Sequence, residues 1–156
     1  MSISDLIVLM KDGVLQQIGK PQEVYDDPVN LFVAKFLGTP PINCFDAKVE
    51  GGRLFIGSEA VLEVPGTPEG AVVCAIRPEG FEPDANGSFT CDLKRVEVMG
   101  RDISVVCRHD AFSGEDIRAI IDSEQLPLIT GEQVHFTLRR SKVYLFQPET
   151  GERIRF

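Results

Sequence analysis

From Cys44 onward the chain breaks into short runs of apolar and β-branched residues separated by turn residues. That pattern constrains the fold more than any other feature. The runs are Asp46 to Glu50, Arg53 to Ile56, Ala60 to Val64, Val72 to Ile76, Phe89 to Val98, Ile103 to Arg108, Ile117 to Ile121, Val134 to Leu138 and Val143 to Phe146. Many short strands at this spacing predict a mainly β fold, an all-β barrel or sandwich. In the longest run, Phe89, Cys91 and Leu93 share one face, but Val96 and Val98 continue on the other parity. A switch of face needs an extra residue in the strand, so the sequence predicts a β-bulge at Lys94-Arg95 that bends the strand around a barrel corner.

The first 43 residues read differently. Leu6 to Met10 is an uninterrupted apolar run, followed by Lys11-Asp12-Gly13 and a second run, Val14 to Ile18. Asp-Gly between β-rich runs predicts a hairpin, because Gly13 accepts the positive φ of a tight reversal. A strand without polar alternation is expected to be covered on both faces, and nothing else in the chain supplies the sheet that would cover it. Pro21 opens a short helix, with Glu23 expected to reach back to an exposed amide and Asp26-Asp27 expected to cap the next start. Val29, Phe32, Val33, Phe36 and Leu37 then form one apolar helical stripe that Gly38 ends. Thr39 to Asn43, with Pro40 and Pro41, is a stiff extended connector.

Composition narrows the function. The net charge is −8, from 16 Lys plus Arg against 24 Asp plus Glu, so the surface repels phosphate backbones and no nucleic-acid partner is expected. No apolar run is long enough for a membrane span or a signal-peptide core, which predicts a cytoplasmic location. The four Cys stand at 44, 74, 91 and 107 without a CxxC pair and are read as small buried hydrophobes. Gly13…Gly19-Lys20-Pro21 superficially matches a phosphate loop, but its spacing is wrong and Pro21 stands where Ser or Thr must hold magnesium. The two histidines, His109 and His135, lack a neighbouring nucleophile and are read as surface residues. Glu115-Asp116, after Ser113-Gly114, is read as solvated turn chemistry, and the basic clusters Lys94-Arg95 and Arg139-Arg140 with Lys142 lack interleaved aromatics. The residues therefore offer no catalytic site, no cofactor site and no metal site.

Several stretches, in order, resemble the C-terminal part of an ABC-importer ATPase of the maltose and glycerol-phosphate type. Asp5 to Leu9 through Gly13, then Pro21, Glu23-Val24-Tyr25, Pro28, Asn30 to Ala34 and Phe36-Leu37-Gly38, resemble the end of the family's ATPase domain. Ala75-Ile76-Arg77-Pro78-Glu79 is similar to its G-I-R-P-E motif, with Ala75 in place of Gly. Val96-Glu97 with Gly100 resembles a strand-turn motif of the family, and Lys142 to Phe146 with Thr150 to Ile154 resembles its ending.

The resemblance implies that residues 1–43 are the remnant of a nucleotide-binding domain plus connector. Residues 44–156 would form a TOBE domain, an OB-like β-barrel, preceded by the hairpin and short helices. It also implies that the phosphate loop, signature motif, magnesium-binding Asp, catalytic Glu and switch His lie upstream of Ser4, so the chain is an excised, non-catalytic fragment of an ATPase that uses ATP and Mg. The expected function is a regulatory and dimerisation module of a carbohydrate importer. The expected partners are a second copy, transmembrane permease subunits and a regulatory protein, with the parent peripheral on the cytoplasmic face of the membrane. Arg77, Pro78 and Glu79, with Glu97, Gly100 and Asp102 near the loop tip, are the candidate regulatory contacts. Within the turn, Arg77 and Glu79 are expected to pair and close the barrel. Val29, Phe32, Val33, Phe36 and Leu37 are the candidate dimer contact. The alternative reading is a barrel that binds a small anion or small effector.

Overall fold

The computed structural model describes residues 5–112 and 114–156, so Ser4 and Ser113 lie outside the described residues. Most of the chain is β. Strands β3 (Asn43–Glu50), β4 (Arg53–Ile56), β5 (Glu59–Glu63), β6 (Gly70–Ile76), β12 (Val143–Phe146) and β13 (Arg153–Ile154) make one antiparallel sheet, in the order β13-β12-β6-β3-β4-β5. Strands β7 (Phe81–Pro83), β8 (Phe89–Met99), β9 (Asp102–Arg108), β10 (Ile117–Asp122) and β11 (Gln133–Leu138) make the other, in the order β10-β9-β8-β11-β7.

The two sheets wrap one core into a nearly closed OB-like barrel. In β11 the alternation is complete: Val134, Phe136 and Leu138 point inward and are buried, while His135 faces out. Phe45 meets Phe89 edge-on at 5.4 Å between centroids, and Phe81 meets Phe136 at 5.3 Å, geometries that aromatic quadrupoles favour. Asn43 stitches the sheets where the connector enters. Its side-chain nitrogen donates to the Ile76 and Arg118 carbonyls, both at 3.1 Å, and its oxygen accepts from the Arg118 amide at 3.0 Å.

The pairing of β8 with β9 shifts register between Leu93 and Arg95, where the sequence placed the bulge. Past it β8 runs beyond its pairing with β11 as a sheet edge, and Val98 is 72% exposed. The end of the β8–β9 hairpin is an arm with one free edge, on β8, while β9 stays paired with β10. Its tip is the two-residue turn Gly100-Arg101, with Gly100 at φ +68° and Met99 opposite Asp102.

Strands β1 (Ile7–Lys11) and β2 (Val14–Gly19) form the expected hairpin, turning at Asp12 and Gly13, both with positive φ. It is covered on one face, not two. Leu9 is buried against Val24 and Val33, whereas Val8, Met10, Leu15 and Ile18 are more than half exposed. Helix α1 (Pro21–Asp26) has Pro21 in its first turn, but Glu23 makes no capping bond. Helix α2 spans only Leu31–Phe36, and Asn30, not Asp26 or Asp27, caps it by accepting from the Val33 amide at 2.9 Å. The expected stripe is therefore split. Val29 precedes the helix and is exposed, Val33 is fully buried, Phe32 and Leu37 are half-buried on the hairpin, and Phe36 is 62% exposed.

Candidate functional site

Arg77 follows the last residue of β6 and is fully buried. Its guanidinium forks into the C-terminal ends of both helices: Nη1 donates to the Ala34 and Leu37 carbonyls at 3.0 and 2.9 Å, and Nη2 donates to the Tyr25 carbonyl at 2.8 Å. Carbonyls at helix ends lack intrahelical partners and sit at the negative end of the dipole, so one planar cation satisfies several orphan acceptors at once. The guanidinium also lies 3.9 Å from the Tyr25 ring centroid and 5.7 Å from that of Tyr144. The expected pairing of Arg77 with Glu79 does not form. The helix carbonyls hold the arginine, and Glu79 turns to other partners. The motif fastens the helical lead-in to the barrel.

Glu79 accepts from the Tyr25 hydroxyl at 2.8 and 3.0 Å, and Lys142 lies 3.6 Å from both Glu79 and Asp26. The Tyr144 hydroxyl donates to the Asp26 carbonyl at 2.8 Å. Burial, and then the bond to Glu79, push the Tyr25 phenol far above its ordinary value, and burial raises Tyr144. Asp27 accepts from Arg153 and Arg155, and the bond from Arg155 leads in holding its carboxyl below the usual carboxylate range. The acidic pair expected to cap a helix thus ties the lead-in to the end of the chain.

Glu97 and Asp102 sit on the arm. Glu97 accepts from Arg118 at 2.7 Å and from Arg95 at 3.3 Å, and these bonds, Arg118 first, lower its pKa. Asp116 is lowered in the same way by Lys94 and holds Arg95 as well, so the acidic turn and the basic pair neutralise each other. Pro78 and Glu79 on the junction and Met99 and Asp102 on the arm line one cleft of about 340 Å³. Of the sequence-selected residues the structure brings Pro78, Glu79 and Asp102 together; Arg77 is buried behind them, and Glu97 and Gly100 are not among the lining residues.

His135 is exposed and within 3.0 Å of the Thr90 hydroxyl. His109 departs from the surface reading, because its ring is half-buried and stacked on Phe89 at 5.1 Å. All four thiols are free; Cys74, Cys91 and Cys107 are buried and Cys44 is half-buried. Sequence reasoning missed Tyr25, Asp27, Tyr144 and Arg153 as junction residues. The signal available was the co-occurrence of Tyr25 with the ending motif, but no local spacing links positions more than a hundred residues apart.

Residues 74–146 match the family model described as TOBE domain. Over 99% of its length the chain is 32% identical to the sn-glycerol-3-phosphate import ATP-binding protein UgpC of Yersinia pestis, covering 44% of that protein. It is 28% identical to the UgpC of Ruegeria sp., with 99% of this chain and 43% of that protein covered. Against a putative ATP-binding protein of Brucella abortus it is 34% identical, with 97% and 43% covered. The chain thus spans less than half the length of these relatives. Among solved structures, the cytoplasmic molybdate-binding protein ModG matches with a TM-score of 0.45 and 18% identity, covering 68% of this chain and 96% of that one.

Proposed function

From the match of residues 74–146 to the TOBE domain family, we infer that the chain is the regulatory and dimerisation module of the ATP-binding subunit of an ABC importer. The solute class we assign is carbohydrate or glycerol-phosphate; the UgpC relatives are named for sn-glycerol-3-phosphate import. The module turns over no ATP. ATP and Mg belong to the nucleotide-binding domain of the longer protein, which sits on the cytoplasmic face of the membrane against permease subunits. No helix among the described residues is long and apolar enough to cross a membrane.

The observation that carries the reading is the Arg77 fork. A module that reports on an ATPase must move as one body with the segment that joins it to that ATPase, and three hydrogen bonds from a buried guanidinium make lead-in and barrel one body. The cleft between junction and arm, which exposes Asp102 and Met99, is where a regulatory protein would touch both parts at once. Calorimetric titration with magnesium-ATP is expected to give no saturable heat, and sedimentation to give a dimer. Micromolar ATP binding, or a clean monomer at high concentration, overturns the reading.

A further inference from the structure

On a chain of net charge −8, three arginines meet at one cleft. It has a volume of about 470 Å³ and is lined by Arg140 and Ser141 from the β11–β12 turn, by Arg153 and Arg155 from the C-terminal segment, and by Phe156, with Asp26 as an acidic wall residue. The guanidiniums are underused. Arg153 and Arg155 both donate to a single oxygen, Oδ1 of Asp27, and Arg153 also reaches the Pro28 carbonyl at 2.9 Å. The Nε of Arg153 is buried and has no hydrogen-bond partner. Arg140 donates to the Glu63 carbonyl and stacks 4.9 Å over the Phe156 ring. Each guanidinium carries five N–H donors in a rigid fork, so most of the donor capacity around the cleft is unspent.

We propose that this cleft binds the phosphate group of a small phosphate monoester, with Arg140, Arg153 and Arg155 as the cationic cradle and the ester's organic part against Phe156. A carboxylate offers two oxygens and one charge, which is what Asp27 already supplies. A phosphate ester carries about −1.5 to −2 charge and three acceptor oxygens, matching three forked donors better than any single carboxylate. Asp27, beside the cleft and not lining it, holds Arg153 and Arg155 in place and competes with the incoming anion for their donors. The site lies at the C-terminal segment, away from the arm, and stands independently of the importer reading.

The test titrates the full chain with phenyl phosphate, inorganic phosphate and benzoate at low salt, followed by amide and arginine NMR shifts. Saturable binding is expected, tightest for phenyl phosphate and weakest for benzoate, with shifts centred on Arg140, Arg155 and Phe156. Asp27→Asn removes the competing charge and is expected to tighten phenyl phosphate by about twofold to fivefold. The double variant Arg140→Ala with Arg155→Ala alters two exposed residues and is expected to weaken binding by about tenfold with an unchanged fold. The proposal is overturned if neither the wild type nor Asp27→Asn saturates. It is equally overturned if the double variant binds as well as the wild type, or if benzoate matches phenyl phosphate.

Discussion

Arg77 matters as a fork more than as a charge. Its three acceptors are buried or half-buried carbonyls, and a residue that cannot reach all of them leaves some unpaired. Arg77→Met is therefore expected to cost about 3 kcal/mol in urea denaturation, with lead-in signals lost first. Arg77→Lys, a single point donor, should recover less than half of that. Asp27 gives a pH signature. Its carboxyl is held below the ordinary 3.8 by Arg155 and Arg153, so its contribution is present above that value and disappears as pH falls through the folded-state value. Melting temperatures of wild type and Asp27→Asn should differ at neutral pH and converge in acid. A gap that persists at the lowest pH would mean that Asp27 acts through something other than its charge.

The arm shows how much an element's sequence discloses. The parity break at Lys94-Arg95 located the bulge, since a side chain cannot change faces without an extra residue. The strand runs of the barrel were legible to within a few residues because one face of each is buried. Strand β7, by contrast, ends in Pro83, which reads as a breaker; at the sheet edge its missing N–H costs no ladder bond, and so the strand forms. The split of the Val29–Leu37 stripe is hidden in the sequence, because Asn30 falls inside the apolar periodicity and only its bond from the Val33 amide makes it the cap. Arg77 was legible as a motif but its partners were not, since they lie on helices 40 to 52 positions away in sequence. Beside the arm's tip Asp102 sits directly opposite Asp122, a like-charge cross-strand pair. Asp102→Lys turns repulsion into attraction and is expected to stabilise the chain by about 0.2–1 kcal/mol, read as a raised denaturation midpoint.

Across the whole molecule, apolar surface is concentrated at the free face of the N-terminal hairpin, where Val8 pairs with Ile18 and Met10 with Leu15. Burying such side chains is worth roughly 1.5–3 kcal/mol each, so this face is a stronger driver of self-association than the divided helical stripe. Val8→Lys with Ile18→Glu keeps a compatible cross-strand pair while making the face polar. Sedimentation should then show weaker association with unchanged melting; an unaltered dimer would move the contact to the barrel. Tyr144 and Arg153 bind carbonyl and carboxylate groups of Asp26 and Asp27 that precede them by 118 and 126 residues. At a synthesis rate of about 5–20 residues per second, the lead-in leaves the ribosome roughly 6 to 25 s before the strand that secures it exists. During that interval the hairpin already covers Val24 and Val33 and Arg77 can already reach the helix carbonyls, so only the contacts to the last strands stay open. The final turn of the barrel is the clasp that ends the wait.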